Sequence, residues 1–449
     1  MTADRFDSLA AEVIEEVQSL WRSIDTLALA NQRRVLEAYR VAQVSDFHLR
    51  GSTGYGYGDA GREALERVYA CVFGAEAALV RPQIVSGTHA LALCLYGVLR
   101  PGDGLLTVQG KPYDTLETVI AGEVQGSLRD WGIEYTRVEL LPDGNVDREA
   151  VVRALGQKPR VVLLQRSGGY SWRRGLVLED LRSLIGLIKE HSPESVVVVD
   201  NCYGEFVEAL EPPAVGADLC AGSLIKNPGG GLAPTGGYVV GRRDLVALAA
   251  GRLTAPGLGR AVGPTLDCQR LFFQGFFLAP HFVAEALKGA VFAARFFERL
   301  GFEVLPLFNE PRSDIVQGIA IGSPERLLTF CRAIQAVSPV DAHVSPESGP
   351  LPGYRDPVVM AAGTFVQGAS LELTADAPLR EPYAVYLQGG LSKEHVMIGV
   401  LAAARAVCEI RGGKGDRHNG LRSGDYRCRP GGAGGGDLRG ARQDEPGDH

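Results

Sequence analysis

Four consecutive valines that end in a carboxylate, Val196–Asp200, constrain the fold of this 449-residue chain more than any other feature. β-Branched residues favour strands, and a strand that is apolar on both faces has to be buried on both. Similar runs, such as Val161–Leu164, alternate along the chain with segments of helical periodicity. This alternation predicts a mainly parallel sheet covered by helices, with Asp200 at the carboxyl edge, where such folds place their ligands.

Seven strands are predicted for this sheet: Ala77–Pro82, Gly104–Val108, Glu134–Glu139, Arg160–Gln165, Ser195–Asp200, Ala217–Leu224 and Gly236–Gly241. Helices are expected between them. A long helix from about Pro280 to Leu300 then leads to a smaller α+β domain. Its strands are expected near Glu303–Pro306, Asp314–Ile321, Pro357–Thr364 and Ala369–Leu373, and a final helix near Ser392–Arg411.

Periodicity and composition divide the chain into four parts. Residues 1–50 form an amphipathic helical arm that packs either on its own body or on a neighbouring subunit. Residues 51–285 form the large α/β domain, and residues 286–411 the small α+β domain. Residues 412–449 are rich in Gly and Arg and poor in large apolar residues, which predicts a disordered tail or a terminus of non-native sequence.

The bulk properties of the chain are those of a cytoplasmic globular protein. Apolar residues make up 45% and charged residues 22%, and the net charge of −7 gives no reason to expect nucleic acid or an anionic membrane as partner. The chain shows no apolar stretch long enough to span a bilayer. Eight cysteines without CxxC spacing, and eight histidines without HxH or HExxH spacing, argue against a metal site.

One lysine, Lys226, lies between small residues and the glycine run Gly229–Gly231, soon after Asp200. Pyridoxal 5′-phosphate requires a lysine amine to bond to its aldehyde and a carboxylate to keep its pyridine nitrogen protonated. Burial of Lys226 is expected to lower its pKa. The alternatives are an Asp200 that caps the following turn and a Lys226 that points into water.

Two further segments fit the same cofactor. Ser86-Gly87-Thr88 opens a predicted helix, whose N-terminal N–H groups and dipole favour a phosphate, and Ser223 could donate its hydroxyl to it. Tyr113 follows a predicted strand and could stack on the pyridine ring. The alternatives are an ordinary helix cap and a partly exposed loop tyrosine.

Three arginines and two tyrosines are candidates for anionic groups of the cofactor or substrate. Tyr55, Tyr57 and Arg62 flank a glycine-rich segment, and Arg62 could instead pair with Glu66 one helical turn on. Arg166 follows a buried strand. Arg380, in Arg380-Glu-Pro-Tyr383, is a candidate partner for the α-carboxylate of a substrate.

The order and spacing of these motifs resemble a family of fold-type I pyridoxal-phosphate enzymes, the aluminium-resistance proteins related to cystathionine β-lyase and methionine γ-lyase. The resemblance covers about residues 5–410, and the tail has no counterpart. It rests on Gly54-Tyr-Gly-Tyr-Gly-Asp-Ala-Gly-Arg-Glu63, Val80-Arg-Pro-Gln-Ile-Val-Ser-Gly-Thr-His89, Gln165-Arg-Ser167, Tyr170-Ser-Trp-Arg173, Val199-Asp-Asn-Cys-Tyr-Gly-Glu205, Ser223-Leu-Ile-Lys-Asn-Pro-Gly-Gly230 and Arg380-Glu-Pro-Tyr383. Gly169 departs from the family, in which a basic residue is expected there.

The resemblance implies an aspartate aminotransferase-like large domain and a carbon–sulfur lyase that eliminates a thiol from a sulfur-containing amino acid. It implies Lys226 as the cofactor-bonded lysine and Asp200 at the pyridine nitrogen. Further implied contacts are Gly87, Thr88 and Ser223 with the phosphate, Tyr113 with the ring, and Tyr55 or Tyr57 with the active site of a neighbouring subunit in a homodimer or homotetramer. An aminotransferase, or a non-catalytic binder with an indirect role in metal tolerance, remains the alternative.

Overall fold

The computed structural model describes residues 2–351 and 354–409, and its first element is a single 40-residue helix, Thr2–Val41 (α1). The apolar side chains Val13, Val17 and Trp21 are buried against the body of the same chain. The Trp21 indole N–H also donates to the carbonyl of Lys288 at 3.1 Å. Of the two arrangements predicted for this arm, the structure shows packing on its own body.

The large domain is built on the predicted seven-stranded sheet. Its strands are Ala77–Arg81 (β1), Gly104–Thr107 (β2), Glu134–Arg137 (β3), Val161–Gln165 (β4), Val196–Asp200 (β5), Leu219–Ser223 (β6) and Gly237–Gly241 (β7). They lie in the order β1-β7-β6-β5-β4-β2-β3. Only β7 runs antiparallel to its neighbours, so the sheet is mainly parallel, as predicted.

Helices cover both faces of this sheet. They are Ala60–Phe73 (α2), Gly87–Val98 (α3), Asp114–Ala121 (α4), Arg148–Leu155 (α5), Leu178–His191 (α6), Arg243–Leu253 (α7) and Gln269–Arg299 (α8). Alternate valines of β5 enter different cores: Val196 and Val198 pack with α3 and α7, whereas Val197 and Val199 pack with α5 and α6. The continuous apolar run therefore reflects burial on both faces.

Helix α8 begins eleven residues before the position predicted from the sequence. Pro280 lies inside the helix rather than at its start, because the buried side chains of Phe272, Phe273 and Phe276 hold the preceding turns against the large-domain core. The segment Leu266–Arg299 is also long and apolar enough to cross a membrane, contrary to the expectation from the sequence. However, 78% of its most apolar window is buried inside the fold, as in a core helix.

The small domain contains a five-stranded antiparallel sheet with helices on one face. Its elements are Glu303–Leu305 (β8), Val316–Ala320 (β9), Pro324–Ala336 (α9), Val358–Ala361 (β10), Thr374–Pro378 (β11), Ala384–Gln388 (β12) and Lys393–Glu409 (α10). The strand order is β10-β11-β12-β9-β8. The predicted smaller α+β domain is thus present, and the predicted tail, residues 412–449, lies outside the described residues.

Two strands of the small sheet differ from the prediction. The strand expected at Ala369–Leu373 is wrong, because that segment turns: the Glu372 carboxylate accepts the backbone N–H groups of Phe365 and Val366, and the strand begins only at Thr374. Strand β12 was not predicted. It brings Tyr386 and Gln388 beside β11 and toward the large domain.

Candidate active site

A cavity of about 290 Å³ lies at the carboxyl ends of β4, β5 and β6, where the loops of the large domain face the small domain. Six of the residues predicted to bind a cofactor line it together: Gly87, Thr88, Tyr113, Asp200, Ser223 and Lys226. These residues are up to 139 positions apart in sequence (226 − 87), and the parallel sheet brings them to one edge.

Asp200 is the last residue of β5 and is paired in register with Gln165 of β4. The residue is 6% exposed, and its carboxylate accepts the backbone N–H of Cys202 at 3.0 Å. Burial raises the pKa of Asp200, while Lys226 and the hydrogen bonds from Cys202 and Gln165 oppose that rise. An acid poised in this way is suited to pairing with a protonated ring nitrogen.

Gln165 is itself fixed by a reciprocal pair of hydrogen bonds. Its N–H donates to the side-chain oxygen of Gln109 at 2.8 Å, and its carbonyl accepts from the Gln109 amide at 2.9 Å. Gln109 follows β2, so the ends of β2, β4 and β5 are tied together at the floor of the cavity. This cross-link fixes the end of β4 beside Asp200.

Lys226 follows β6, and its Nζ lies 3.7 Å from the centroid of the Tyr203 ring. Burial alone lowers the pKa of Lys226, but the surrounding acidic groups, Cys202, Tyr203, Asp200 and Tyr113, outweigh it and place the pKa well above the usual value. The lowered pKa expected from the sequence is therefore wrong for the cofactor-free protein. The amine therefore has to lose a proton before it bonds to another group.

The two turns that carry Asp200 and Lys226 are joined by one buried amide. The Asn227 side chain donates to the carbonyls of Tyr203 and Glu205, both at 2.9 Å. Tyr203 has a left-handed backbone, with φ of 73°, which a tyrosine rarely adopts without such support. The local fold therefore holds the Tyr203 ring beside the lysine amine.

The opposite end of the cavity has the features of an anion site. Helix α3 begins at Gly87, where a Cβ would come within 2.7 Å of Cys202 Sγ, so only glycine fits without displacement. Ser86 Oγ caps the N–H of His89 at 3.0 Å, which leaves the earlier N–H groups of the helix for a ligand. Ser223 Oγ is buried and has no hydrogen-bond partner among residues 2–351 and 354–409.

Tyr113 closes one wall of the cavity at the start of α4. Its hydroxyl lies 3.1 Å from Thr88 Oγ1, which in turn lies 3.1 Å from Thr115 Oγ1. Burial, together with the charges of Asp200 and Cys202, raises the pKa of Tyr113 well above its usual value. Its phenol is therefore neutral and is directed toward the anion end.

Two of the predicted substrate-binding arginines do not reach this cavity. The Arg62 guanidinium is 2% exposed and donates to the carbonyls of Gly56 at 2.8 Å and Gly263 at 2.7 Å. The alternative pairing of Arg62 with Glu66 is also absent, because Glu66 pairs with Arg81 and Arg260. Arg62 therefore holds the glycine-rich segment against the loop that follows α7.

Arg166 is fully buried beneath the turn that follows Asp200. It donates to Asn201 Oδ1 at 2.9 Å, to the carbonyl of Gly204 at 2.8 Å, and to the Glu208 carboxylate at 2.6 Å. The Arg166 guanidinium is therefore bonded to the backbone and side chains of this turn. The placement does not support a substrate contact by Arg166 and indicates a positioning role instead.

Arg380 lies in a second pocket, also of about 290 Å³, on the other side of a wall formed by Tyr113, Tyr170 and Tyr354. It donates to the carbonyl of Tyr170 at 2.8 Å and forms ion pairs with Asp114 and Asp356 at 3.4 and 3.3 Å. The side chain thus bridges the large and small domains next to the cavity, and its contact with a substrate stays a prediction.

Tyr55 and Tyr57 do not line the cavity of their own chain. Their side chains are 73% and 66% exposed, and their rings lie side by side with centroids 5.4 Å apart. The backbone carbonyl of Tyr55 accepts the N–H of Gly263 at 3.0 Å, so the segment is ordered although the rings face outward.

Several cavity residues were not predicted from the sequence. Tyr203 lies three positions after Asp200 in sequence, and this closeness could have identified it as a residue of the same cavity. Tyr354 comes from the small domain, and no local pattern connects it with Lys226. Gly169, where a basic residue was expected, borders the cavity with φ of 58°, and a Cβ there would meet nothing within 4 Å.

The residues present fit pyridoxal 5′-phosphate. The unpartnered Ser223 hydroxyl and the start of α3 suit its phosphate, and Asp200 suits its ring nitrogen. Lys226 suits its aldehyde. These groups occur in one cavity whose walls also include the rings of Tyr170, Tyr203 and Tyr354, which suit a flat aromatic ligand.

Comparison with known proteins gives the same result. A family model described as methionine gamma-lyase matches residues 6–408 of the chain. The uncharacterized protein YnbB of Bacillus subtilis strain 168 is 50% identical over 403 residues, which cover 89% of this chain and 96% of that protein.

Crystal structures of related proteins share the fold. A protein of Listeria monocytogenes, described as a candidate cystathionine beta-lyase involved in aluminum resistance, is 51% identical with a TM-score of 0.87; the match covers 89% of this chain and 100% of that chain. A carbon-sulfur lyase involved in aluminum resistance from Clostridium novyi is 46% identical with a TM-score of 0.85, covering 89% and 95%.

A more distant structure shares the fold alone. It is a candidate O-acetylhomoserine (thiol)-lyase of Campylobacter jejuni that contains a pyridoxyl-lysine; it is 16% identical with a TM-score of 0.56, covering 78% of this chain and 87% of that chain. The predicted aminotransferase-like fold class and the predicted cofactor agree with these findings and with the fit of the cavity. The chain belongs to the methionine gamma-lyase family.

Proposed function

We propose that the protein is a pyridoxal 5′-phosphate-dependent carbon–sulfur lyase that acts on a sulfur-containing amino acid. The main support for the proposal is that Lys226, Asp200 and Ser223 line one cavity. The Ser223 hydroxyl there is buried and has no hydrogen-bond partner among the described residues. Relatives described as lyases involved in aluminum resistance, at 46–51% identity over nearly the whole chain, support the reaction class.

Each end of the cofactor has its own set of residues in this proposal. Lys226 Nζ bonds to the aldehyde, Asp200 pairs with the ring nitrogen, and Tyr113 covers one face of the ring. Gly87, Thr88 and Ser223 hold the phosphate. When bound, the cofactor withdraws electrons from the substrate's α-carbon, which makes the α-proton acidic and a thiol at the β- or γ-carbon a leaving group.

Lys226 also moves protons during turnover. Its Nζ is held against the Tyr203 ring at 3.7 Å, inside the cavity where the substrate's α-carbon has to lie. Once the substrate's amino group has replaced it, the lysine removes the α-proton as a general base. The Asp200 carboxylate, one of the groups that raise the pKa of Lys226 in the free protein, then stabilises the ammonium that results.

The proposal includes a second copy of the chain at each active site. Tyr55 and Tyr57 do not line the cavity of their own chain, and the apolar side chains of Val85 and Leu266 are also on the surface, 69% and 51% exposed. Val85 directly precedes the anion site at Ser86–Thr88. A second copy that covers this surface places its tyrosine hydroxyls near the phosphate in a homodimer or homotetramer.

Mixed oligomers test this shared site. Chains carrying Lys226→Ala and chains carrying Tyr55→Phe with Tyr57→Phe are each expected to be inactive or strongly impaired. After they are dissociated and reassembled together, some sites combine an intact lysine with intact tyrosines, so activity is expected to return. Formation of mixed oligomers without any recovery of activity contradicts the shared site.

The reaction is tested by incubating the cofactor-loaded protein with cystathionine or methionine. Thiol, ammonia and a 2-oxo acid in equal amounts are the products of elimination. Amino transfer to an added 2-oxo acid without release of thiol points to an aminotransferase. Neither product, with the cofactor bound, points to a non-catalytic binder. The Lys226→Ala variant is the matched control and is expected to release no thiol above background.

A further inference from the structure

A buried carboxyl group of the small domain reaches the active-site cavity through a tyrosine. Asp376 lies on β11, is 2% exposed, and accepts hydrogen bonds from the Tyr170 hydroxyl and from the Gln388 amide, the latter at 2.5 Å. Its other oxygen, Oδ1, is buried and has no hydrogen-bond partner within the described part of the chain. Tyr170 itself lines the cavity with Lys226.

The surroundings of Asp376 stabilise its protonated form more than water does. Across residues 2–351 and 354–409, neither lysine nor arginine forms an ion pair with it, and an unpaired carboxylate is costly to bury. Burial raises the pKa of Asp376 to about 6, against the opposing effects of its bonds to Tyr170 and Gln388 and the charge of Lys226. The other titratable groups facing it are Tyr354 and, from α9, Cys331.

Tyr170 and Tyr113 serve different parts of the cavity. The Tyr113 hydroxyl lies 3.1 Å from Thr88 Oγ1 at the anion end. The Tyr170 hydroxyl instead meets Asp376, and its ring packs with Tyr354 and Tyr386 at centroid distances of 6.1 and 5.6 Å on the side of the small domain. The Tyr170 hydroxyl is therefore directed away from the anion end of the cavity and toward the small domain.

We propose that Tyr170 gives the proton to the sulfur that leaves the substrate and that Asp376 replaces the proton on Tyr170. This inference rests on the proposed lyase reaction. When the C–S bond breaks, its electron pair goes to sulfur, and the Tyr170 O–H proton moves to that sulfur to form a thiol. The carboxyl proton of Asp376 moves to the Tyr170 oxygen, and water returns a proton to Asp376.

The assignment makes Tyr170 a catalytic residue and Asp376 a positioning residue that supplies it. In the resting hydrogen bond the ionised Asp376 accepts from Tyr170. Once Asp376 is protonated, its O–H donates to the Tyr170 oxygen, and the phenol proton is free to face the cavity. Oδ2, the carboxyl oxygen that faces Tyr170, carries the proton that is passed on.

Two substrates with different leaving groups test the proposal. S-Ethyl-L-cysteine releases a thiolate that needs a proton, whereas β-chloro-L-alanine releases chloride, which needs none. For Tyr170→Phe we expect the ratio of kcat/KM for S-ethylcysteine to that for β-chloroalanine to fall about 100-fold, the usual scale of general acid catalysis. For Tyr113→Phe, the matched control, the ratio is expected to change by less than about 3-fold.

The Asp376→Asn variant tests the supply of the proton. Wild-type turnover of S-ethylcysteine is expected to decline as the pH rises above about 6, and this decline is expected to disappear in the variant, whose rate is low throughout. Turnover of β-chloroalanine is expected to show neither effect. Cofactor absorbance and circular dichroism establish that each variant is folded and loaded with cofactor. The conservative Asp376→Glu variant keeps a titratable carboxyl group, so its turnover of S-ethylcysteine is expected to decline again, in part, as the pH rises.

Several results overturn the proposal. Equal losses on both substrates assign Tyr170 a merely structural role, and a leaving-group effect confined to Tyr113→Phe assigns the acid to that tyrosine. If either Tyr170→Phe or Asp376→Asn does not fold, the result for the other variant decides the proposal. Release of ethanethiol by the wild type establishes the lyase reaction independently of both variants, and its absence refutes this inference. Absence of thiol from cystathionine and methionine as well refutes the proposed function.

Discussion

The Nζ of Lys226 lies 3.7 Å from the centroid of the Tyr203 ring, although the two residues belong to turns that follow different strands. Asn227, next in sequence to the lysine, bonds to the carbonyl of Tyr203 at 2.9 Å and so fixes the tyrosine in its left-handed conformation. One buried amide thus couples the position of the reactive amine to that of the turn that begins at Asp200.

Replacing this amide is expected to weaken the fold. Asn227→Ala removes two hydrogen bonds and leaves the buried carbonyls of Tyr203 and Glu205 without their donor. At about 1–3 kcal/mol for each such group, we expect a loss of about 2–6 kcal/mol in the free energy of unfolding, measured by denaturant titration. Asn145→Ala, on an exposed turn, is the control and is expected to cost less than about 0.5 kcal/mol. A similar small loss for Asn227→Ala contradicts the coupling.

Ser223→Ala is expected to weaken the binding of the cofactor without destabilising the free protein. The Ser223 hydroxyl is buried and unpartnered in the described structure, so its removal costs the free protein little. A charge-assisted hydrogen bond to phosphate contributes about 1.5–3 kcal/mol, which corresponds to a rise in the cofactor Kd of about 10- to 100-fold. Equilibrium binding followed by absorbance measures it. The exposed Ser183→Ala variant serves as the control, and an unchanged Kd for Ser223→Ala refutes the phosphate contact.

Asp200→Asn separates cofactor attachment from turnover. The amide keeps the shape of the carboxylate and leaves Lys226 intact, so the cofactor is expected to remain bonded to the lysine. Because the charge that stabilises a protonated ring nitrogen is lost, kcat is expected to fall about 10²- to 10³-fold. Thiol release and cofactor absorbance, recorded on the same sample, measure the two properties. Full activity with a neutral residue at position 200 shows that the ring nitrogen has another partner.

The titration of Asp376 is expected to make stability depend on pH. Its pKa is about 6 in the folded protein, against a usual value of 3.8, so the folded state keeps a proton that the unfolded state has already lost. Stability therefore falls as the pH rises from about 4 to 7, by about 3 kcal/mol from this group. Because Asp376→Asn lacks this loss, its free energy of unfolding relative to wild type is expected to rise by that amount over the same range. A constant difference contradicts the assignment.

Much of the large domain was predictable because its signals are local. The valine run before Asp200, the turn residues Ser86–Thr88 and the isolated Lys226 each carry a physical requirement that their neighbours reveal. The parallel sheet then brings these three signals to one edge, and alternation of strands and helices is sufficient to predict such a sheet.

The remaining features depend on contacts between distant parts of the chain. Arg62 and Arg166 have the chemistry of anion-binding residues, but in the fold their guanidinium groups donate to backbone carbonyls. Arg62 donates to Gly263 and Arg166 to Gly204, and neither contact is visible in the local sequence. The pKa of Lys226 was predicted in the wrong direction because the acidic groups around it are brought there by folding. Asp376 was not predicted because only the packing of the small domain brings it to Tyr170.

The bond between Lys226 and the cofactor is the central claim, and borohydride reduction followed by peptide mapping tests it most directly. Reduction of the cofactor-loaded protein is expected to fix the pyridoxyl group on the peptide that contains Lys226, in about one copy per chain. Lys226→Ala is expected to give no labelled peptide, whereas Lys111→Ala, which changes a lysine next to the cavity, is expected to label normally. A label on another lysine, or none in loaded wild-type protein, contradicts the account.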